Sequence, residues 1–315
     1  SSRRSSSSRS ALTVPGNATL RKFWQSSGTL NGTGVLTVTQ NLTWTGGMQT
    51  DVGRTIAAGT LTVRGEGSTS VDLHYRTLEN RGVANLYLAS QHINMAYGSS
   101  IVNAAGANMT MEVISGQARG MIHYGSWCTK PTFDNRGLFI KSGAGEGQVE
   151  VTLAHTGVVD LQAGTLSLTG GGTIASSVAS ASNTLLQLGG YTVTPSGSIS
   201  GEGNVKFTSG NVMQGAYQIS GMTTMAASNQ TVSFPAATQP NFGSQLRIDQ
   251  GTVQVDSAQS VSVPTLWVNG GELRGTATVI ATNVLTFTNG YMSDAGRTVA
   301  LGNASLGGST TSVVW

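Results

Sequence analysis

Residues 28–59 recur 243 positions later as residues 271–302, with no gap. The first copy reads GTLNGTGVLTVTQNLTWTGGMQTDVGRTIAAG and the second GELRGTATVIATNVLTFTNGYMSDAGRTVALG; 15 of the 32 positions are identical. Most differences exchange one apolar residue for another, as in Leu36 and Val279, Trp44 and Phe287, or Ile56 and Val299. A gapless match of this length puts both stretches in the same kind of structural unit, and so points to a repetitive fold.

The second half of the chain carries the period. One apolar series runs Leu166, Leu186, Val205, Met225, Leu246, Leu266, Leu285, in steps of 19 to 21. A second runs Val193, Val212, Val232, Val253, Leu273, Met292, and a patchier third runs Val159, Ile199, Ile219, Val279, Val299. The series are offset by about seven residues. Between them lie short alternating segments bounded by Gly, Asn, Ser and Asp, with no sustained helical period. Three short strands per coil predict an all-β, three-faced parallel β-helix (a β-solenoid) of about 20 residues per coil. One coil cannot bury its apolar side chains alone; stacked coils can, with parallel strands about 4.8 Å apart. About 15 coils would make a rod of roughly 70 Å.

Composition agrees. Gly numbers 43 and charged residues are only 10%. Ser and Thr make about a quarter of the chain. These values exclude a coiled coil, and 38% regularly spaced hydrophobic residues argue against disorder. The net charge of +3 is partly concentrated in SSRRSSSSRS at the start. No other basic cluster is interleaved with aromatics, so nucleic acid is not an expected partner. A single cysteine, Cys128, excludes an internal disulfide framework and a Cys-based zinc site. No apolar run approaches the ~18 residues of a membrane span. The opening Ser and Arg residues do not resemble a signal peptide; either the form is mature or the true N-terminus lies outside the sequence. Residues 1–11 read as a low-complexity tail and residues 12–315 as one β-helix. Between about 75 and 130, where half of the His, Tyr and Met residues fall, the period breaks into expected longer loops.

FDNRGLFIKSGAGEGQVEV, followed by HTGVVDLQAGTLSLTGGGT, resembles the Gly/Thr-rich β-solenoid repeats of large surface and secreted proteins. SGTLNGTGVLTVTQNLTWTGG is similar to another module of those proteins, and autotransporter-passenger-like adhesins share the architecture. The resemblance covers about residues 12–306. It implies a parallel β-helix in an extracellular or cell-surface structural or adhesive protein, and it brings no catalytic residues and no cofactor.

Six sequons, at Asn17, Asn31, Asn41, Asn108, Asn229 and Asn303, are candidate glycosylation sites, with Asn31, Asn108 and Asn229 favoured at corners. The Asp51-Val-Gly-Arg54 and Asp294-Ala-Gly-Arg297 pair reads as a turn with Asp accepting backbone N–H bonds, Gly at φ > 0 and Arg paired locally. Of the four histidines, only His74 and His92 have a spacing that could stack, so no metal site is expected. Trp24 and Trp267, related by the 243 shift, read as core or corner packing. Thr-x-Thr pairs at Thr37, Thr43, Thr60, Thr192 and Thr286 form no ladder along the first series, which argues against an ice-binding face.

The expected function is a structural subunit of an extracellular fibre, filament or surface coat. The rivals are an adhesin or carbohydrate-binding module using the irregular region, and a polysaccharide-active enzyme. The enzyme needs gathered carboxylates, but Glu202, Asp249, Asp256, Glu272 and Asp294 fall at mixed coil positions. The final coils look like the first and no cap is evident, so the expected partner is the chain itself, stacked axially or continued in further copies, with glycans as a second partner. Leu20, Trp24, Leu42, Leu285 and Trp315 are the assembly candidates.

Overall fold

The computed structural model describes residues 11–64, 70–88, 91–114, 119–125 and 127–307. Most of the expected tail, residues 1–10, and Trp315 lie outside the described residues. The regular structure is entirely β, and its strands pair in parallel as a solenoid with turns of about 20 residues. The chain divides into two compact units, residues 1–170 and 171–315, each of which carries the solenoid.

In the N-terminal unit three stacks form three faces. The first stacks Arg54–Ala57, Thr77–Asn80, Ser100–Asn103, Thr132–Asn135 and Thr152–His155. The second stacks Thr60–Arg64, Val83–Tyr87, Asn108–Glu112, Leu138–Ser142 and Val158–Leu161. The third runs from Gly47–Gln49 through Val71–His74, Ile93–Ala96, Arg119–His123 and Glu146–Val149 to Thr165–Leu168. Alternate residues point inward: Leu61 and Val63 are fully buried while Thr62 between them is half-buried.

The C-terminal unit begins with the same three-strand coils, as in the ladder Ser177–Ser180, Ser198–Gly201 and Ala216–Ile219. From Met222–Phe234 onward the strands lengthen and run through a corner. Gln245–Val255, Val261–Arg274 and Thr278–Met292 each pair with the next, with bulges absorbing the bend.

Register corrects the periodic series at several places. Val205 and Leu246 share the partner Thr223, not Met225, which joins the neighbouring column between Phe207 and Ile248. Val212 pairs with Thr192 and points outward, while Met213 fills the interior beside Val193. Ile199 pairs with Tyr217, two residues before Ile219. Val279 pairs with Thr298, and Val299 with Ile280. These are slips of one or two residues; a slip of one reverses the face and a slip of two keeps it. The remaining stack, Leu186–Val205 and Leu246–Leu266–Leu285, is inward and buried.

The two copies of the 32-residue match fold identically in register. Leu36 pairs with Thr55 as Val279 pairs with Thr298, and Leu42 pairs with Leu61 as Leu285 pairs with Ala304.

Candidate functional site

In the N-terminal unit, the corner between the third and first faces holds a left-handed residue in five successive coils. Gly32 has φ 97°, Asp51 64°, Tyr75 60°, Tyr97 54° and Gly125 96°. Their strands are in register, since Gln49 pairs with Leu73, His74 with Ala96 and Met95 with His123. Gly adopts this conformation freely, and Asp satisfies it by accepting the Gly32 N–H at 2.8 Å. A tyrosine there costs about 1 kcal/mol and gains no such local bond.

What the two tyrosines do is stack. Their ring centroids lie 4.6 Å apart at 11°, and Trp127 meets Tyr97 edge-on at 5.3 Å. The third coil supplies Trp127 by enlarging the same corner; from His123 to Thr132 takes nine steps where Met95 to Ser100 takes five. The loop is tied down by Cys128, whose Sγ accepts the Tyr97 N–H at 3.3 Å and donates to the Gly125 carbonyl at 3.0 Å. Trp127 packs over Gly125, where any Cβ would meet its indole at 3.1 Å. The outer surfaces stay open: Tyr75 is 49% and Trp127 74% exposed, and Tyr124 beside them is exposed too. A shallow cavity of about 340 Å³ is bounded by Tyr75, Tyr97, Trp127, Cys128 and Thr129. On the adjoining strands Asn94 Nδ2 donates to Asp72 Oδ1 at 2.9 Å. Desolvation lowers the His74 pKa, against the pull of Asp72, and the His74 ring lies edge-on to Tyr97 at 5.4 Å. Desolvation first, then the neighbouring Tyr75, Cys128 and Tyr124, raises the Tyr97 phenol. Sequence reasoning found the irregular region but not the shelf. The available signal was tyrosine recurring where the preceding coil has Asp51.

A second feature is the last described coil of the C-terminal unit. Arg297–Ala300 and Asn303–Leu306 pair on one side only, with Thr278–Met292. Beside them opens a cavity of about 890 Å³, with Leu285, Phe287, Ala304 and Leu306 among its lining residues. Leu301 is 69% and Leu306 48% exposed. The equivalent coil of the first copy is covered by Val71–His74, Thr77–Asn80 and Val83–Tyr87.

Of the assembly candidates, Leu20 and Trp24 are exposed. Leu42 and Leu285 are buried in the solenoid, where their alternation places them, and Leu285 also lines the cavity beside the last described coil. Trp315 lies outside the described residues. Asn17, Asn41, Asn108, Asn229 and Asn303 are exposed; Asn31 is half-buried with its amide oxygen covered. In the Asp-x-Gly-Arg turn, Asp51 and Asp294 take the positive φ rather than the glycine. Gly53 is needed for room, because a Cβ would meet the Gly32 carbonyl at 2.3 Å. Arg54 pairs with Glu79 across the coil. His74 and His92 do not stack, since His74 lies opposite Ala96. Trp24 is 52% exposed, and Trp267 lies under the Arg247 guanidinium at 4.6 Å; only Trp44 and Phe287 of the repeated aromatics are core. Thr43 and Thr62 pair, but the next coil has Asn85 there.

Several interior polar groups have structural roles that the sequence hid. Asn80, Asn103 and Asn135 form a ladder, each Nδ2 donating to the next Oδ1 at 2.9 and 2.8 Å. The ladder ends at His155 Nδ1, 3.1 Å from Asn135 Nδ2. Two of its members open the Asn-Arg-Gly corners at Asn80-Arg81-Gly82 and Asn135-Arg136-Gly137. Arg76, wholly buried, donates to the carbonyls of Gly32, Thr50, Gly34 and Arg54 and to Thr55 Oγ1. Lys141, also wholly buried, donates to the carbonyls of Ser142, Gly143 and Ala163.

Three of the named carboxylates are bonded locally: Asp249 holds Arg247, Asp256 accepts from Gln254, and Glu272 accepts from Thr252 and Ser293. Among the described residues no three His, Cys, Asp or Glu side chains gather to hold a metal ion, and no helix is long and apolar enough to cross a membrane. Comparisons with protein-family models, with curated proteins and with solved structures returned no match.

Proposed function

We propose that the chain is a structural element of an extracellular or cell-surface fibre that extends by stacking coil on coil at the open end of the C-terminal unit. The observation that carries this is the repeated coil. At residues 28–63 its surface holds a further coil in parallel register; at residues 271–306 the same surface has no described residue over it. Exposed strand edges beside an apolar cavity invite another β-strand. The occupant is a coil of the same kind, supplied by a second copy or by a longer repetitive chain. In the N-terminal unit, Leu12, Leu20 and Trp24 are exposed on strands Ala11–Thr13 and Ala18–Gln25, which offers a second surface for a head-to-tail contact between copies. The resemblance to Gly/Thr-rich surface-protein repeats supports the extracellular placement.

Electron microscopy of the 315-residue chain at high concentration tests the reading. Linear particles many units long are expected, and discrete single particles at every concentration would overturn it. The exposed sequons at Asn108 and Asn229 are proposed to carry glycans where the chain passes a eukaryotic secretory route. An intact mass equal to the bare polypeptide from such a host would remove that part alone.

A further inference from the structure

We infer that the aromatic corner of the N-terminal unit is a saccharide-binding shelf, with Tyr75, Tyr97 and Trp127 as the platform for a pyranose ring of a neutral polysaccharide. The inference is independent of fibre formation, because it uses a lateral corner and not a coil end.

The first argument is conformational. The corner asks for a left-handed residue, and neighbouring coils supply Gly or Asp. Two successive coils supply tyrosine, whose bulk makes that conformation a true outlier. Backbone strain retained at adjacent positions points to the side chains that it displays. The second argument is what those side chains make. The stacked pair and the perpendicular indole form two walls of an open angle, and the Tyr75 and Trp127 rings remain about half and three-quarters exposed. Interior aromatics in this protein do the opposite: Phe207, Tyr217, Phe234 and Phe242 pack on one another with no exposure. The corner rings are therefore presented to solvent rather than used as filling.

The ligand class is set by the shape and polarity of the place. A shallow cavity of about 340 Å³ suits one or two flat rings, not a deep pocket for a compact cofactor. Aromatic faces favour the C–H-bearing face of a sugar, and the hydroxyl-bearing rim of a ring needs nearby donors and acceptors. Thr129 lies in the cavity wall, and the Asp72–Asn94 pair lies on the strands that lead into the corner. With no Lys or Arg among the lining residues, a neutral sugar fits better than a sulfated or phosphorylated one.

Affinity electrophoresis in native gels cast separately with laminarin, mannan, xylan, amylopectin and hydroxyethylcellulose tests the inference. At least one polysaccharide is expected to retard the wild-type chain. Trp127→Ala should weaken that binding at least tenfold. Tyr75→Gly and Tyr97→Gly give a separate readout, since each removes a ring while giving the corner the residue that it accepts most easily. Both should bind at least tenfold more weakly and melt no lower than wild type. The inference is overturned if none of the five polysaccharides retards the wild type, or if all three variants are retarded as the wild type is. A large drop in melting temperature for the two glycine variants would also overturn it, because the rings would then serve the fold.

Discussion

Asp51 and Asp294, 243 positions apart, adopt the same left-handed backbone conformation, at φ 64° and 66°. Each begins a corner that turns into a strand in the same register, Arg54–Ala57 in one copy and Arg297–Ala300 in the other. The sequence match is thus a match of coil geometry down to single dihedral angles. The two coils differ in their cover: a further stacked coil lies over the first, and no described strand lies over the second.

The buried column through Leu246, between Thr223 and Leu266, holds the long strands of the C-terminal unit together. Leu246→Asp places a carboxylate there with no cation to meet it. A loss of about 4 kcal/mol or more is expected, as for other unpaired buried charges. Denaturant unfolding followed by circular dichroism measures it; a loss below about 1 kcal/mol would contradict the burial.

The asparagine ladder is directional, so its middle member is the most sensitive. Asn103 accepts from Asn80 and donates both to Asn135 Oδ1 and to the Leu138 carbonyl at 3.0 Å. Asn103→Ala should cost about 3 kcal/mol through the partners left unpaired. Asn103→Asp keeps the shape but faces two acceptors with a carboxylate. It should therefore be more destabilised at pH 7 than at pH 4, relative to wild type at the same pH, because a protonated acid can donate. An equal penalty at both pH values would argue against the donor direction.

Lys141 sets a pH dependence. Burial lowers its pKa from 10.5 to about 8. Between these values the unfolded chain binds more protons than the folded one, so this group makes stability rise as pH increases from about 8 to 10.5. Below pH 8 the cost of keeping the charge inside is fully present. Lys141→Met should lack this rise while losing the three carbonyl bonds. Urea midpoints for both proteins at pH 7.5, 9 and 10 decide it: parallel curves would contradict the account.

The fold was legible because a solenoid writes its period directly into the sequence. Leu186, Val205, Leu246, Leu266 and Leu285 recur once per coil and stack as their spacing implies. The slips at Met225, Val212, Ile219 and Val299 arose because coils vary by a few residues, and alternation offers a second apolar residue two places away. Corner insertions such as Pro235–Asn241 cannot be assigned to a coil by counting. The interior cations Arg76 and Lys141 were invisible because they bond to backbone carbonyls, which carry no side-chain signature. The aromatic shelf was hidden for a similar reason: Tyr75, Tyr97 and Trp127 come from three coils, and only the register brings them to one corner.

The central claim is that the coil surface at residues 297–306 stacks another coil, and sedimentation velocity tests it most directly. The equivalent of Ala304 in the first copy, Leu61, is fully buried by the strand above it, whereas Ala304 is exposed. An Ala304→Arg chain carries a charge and bulk in the cavity wall, where the next coil would sit. The wild-type chain is predicted to sediment as a series of species that grows with concentration, and the Ala304→Arg chain as a monomer over the same range. A wild-type chain that stays monomeric at the highest concentration reached, or an Ala304→Arg chain that associates as the wild type does, would contradict the account.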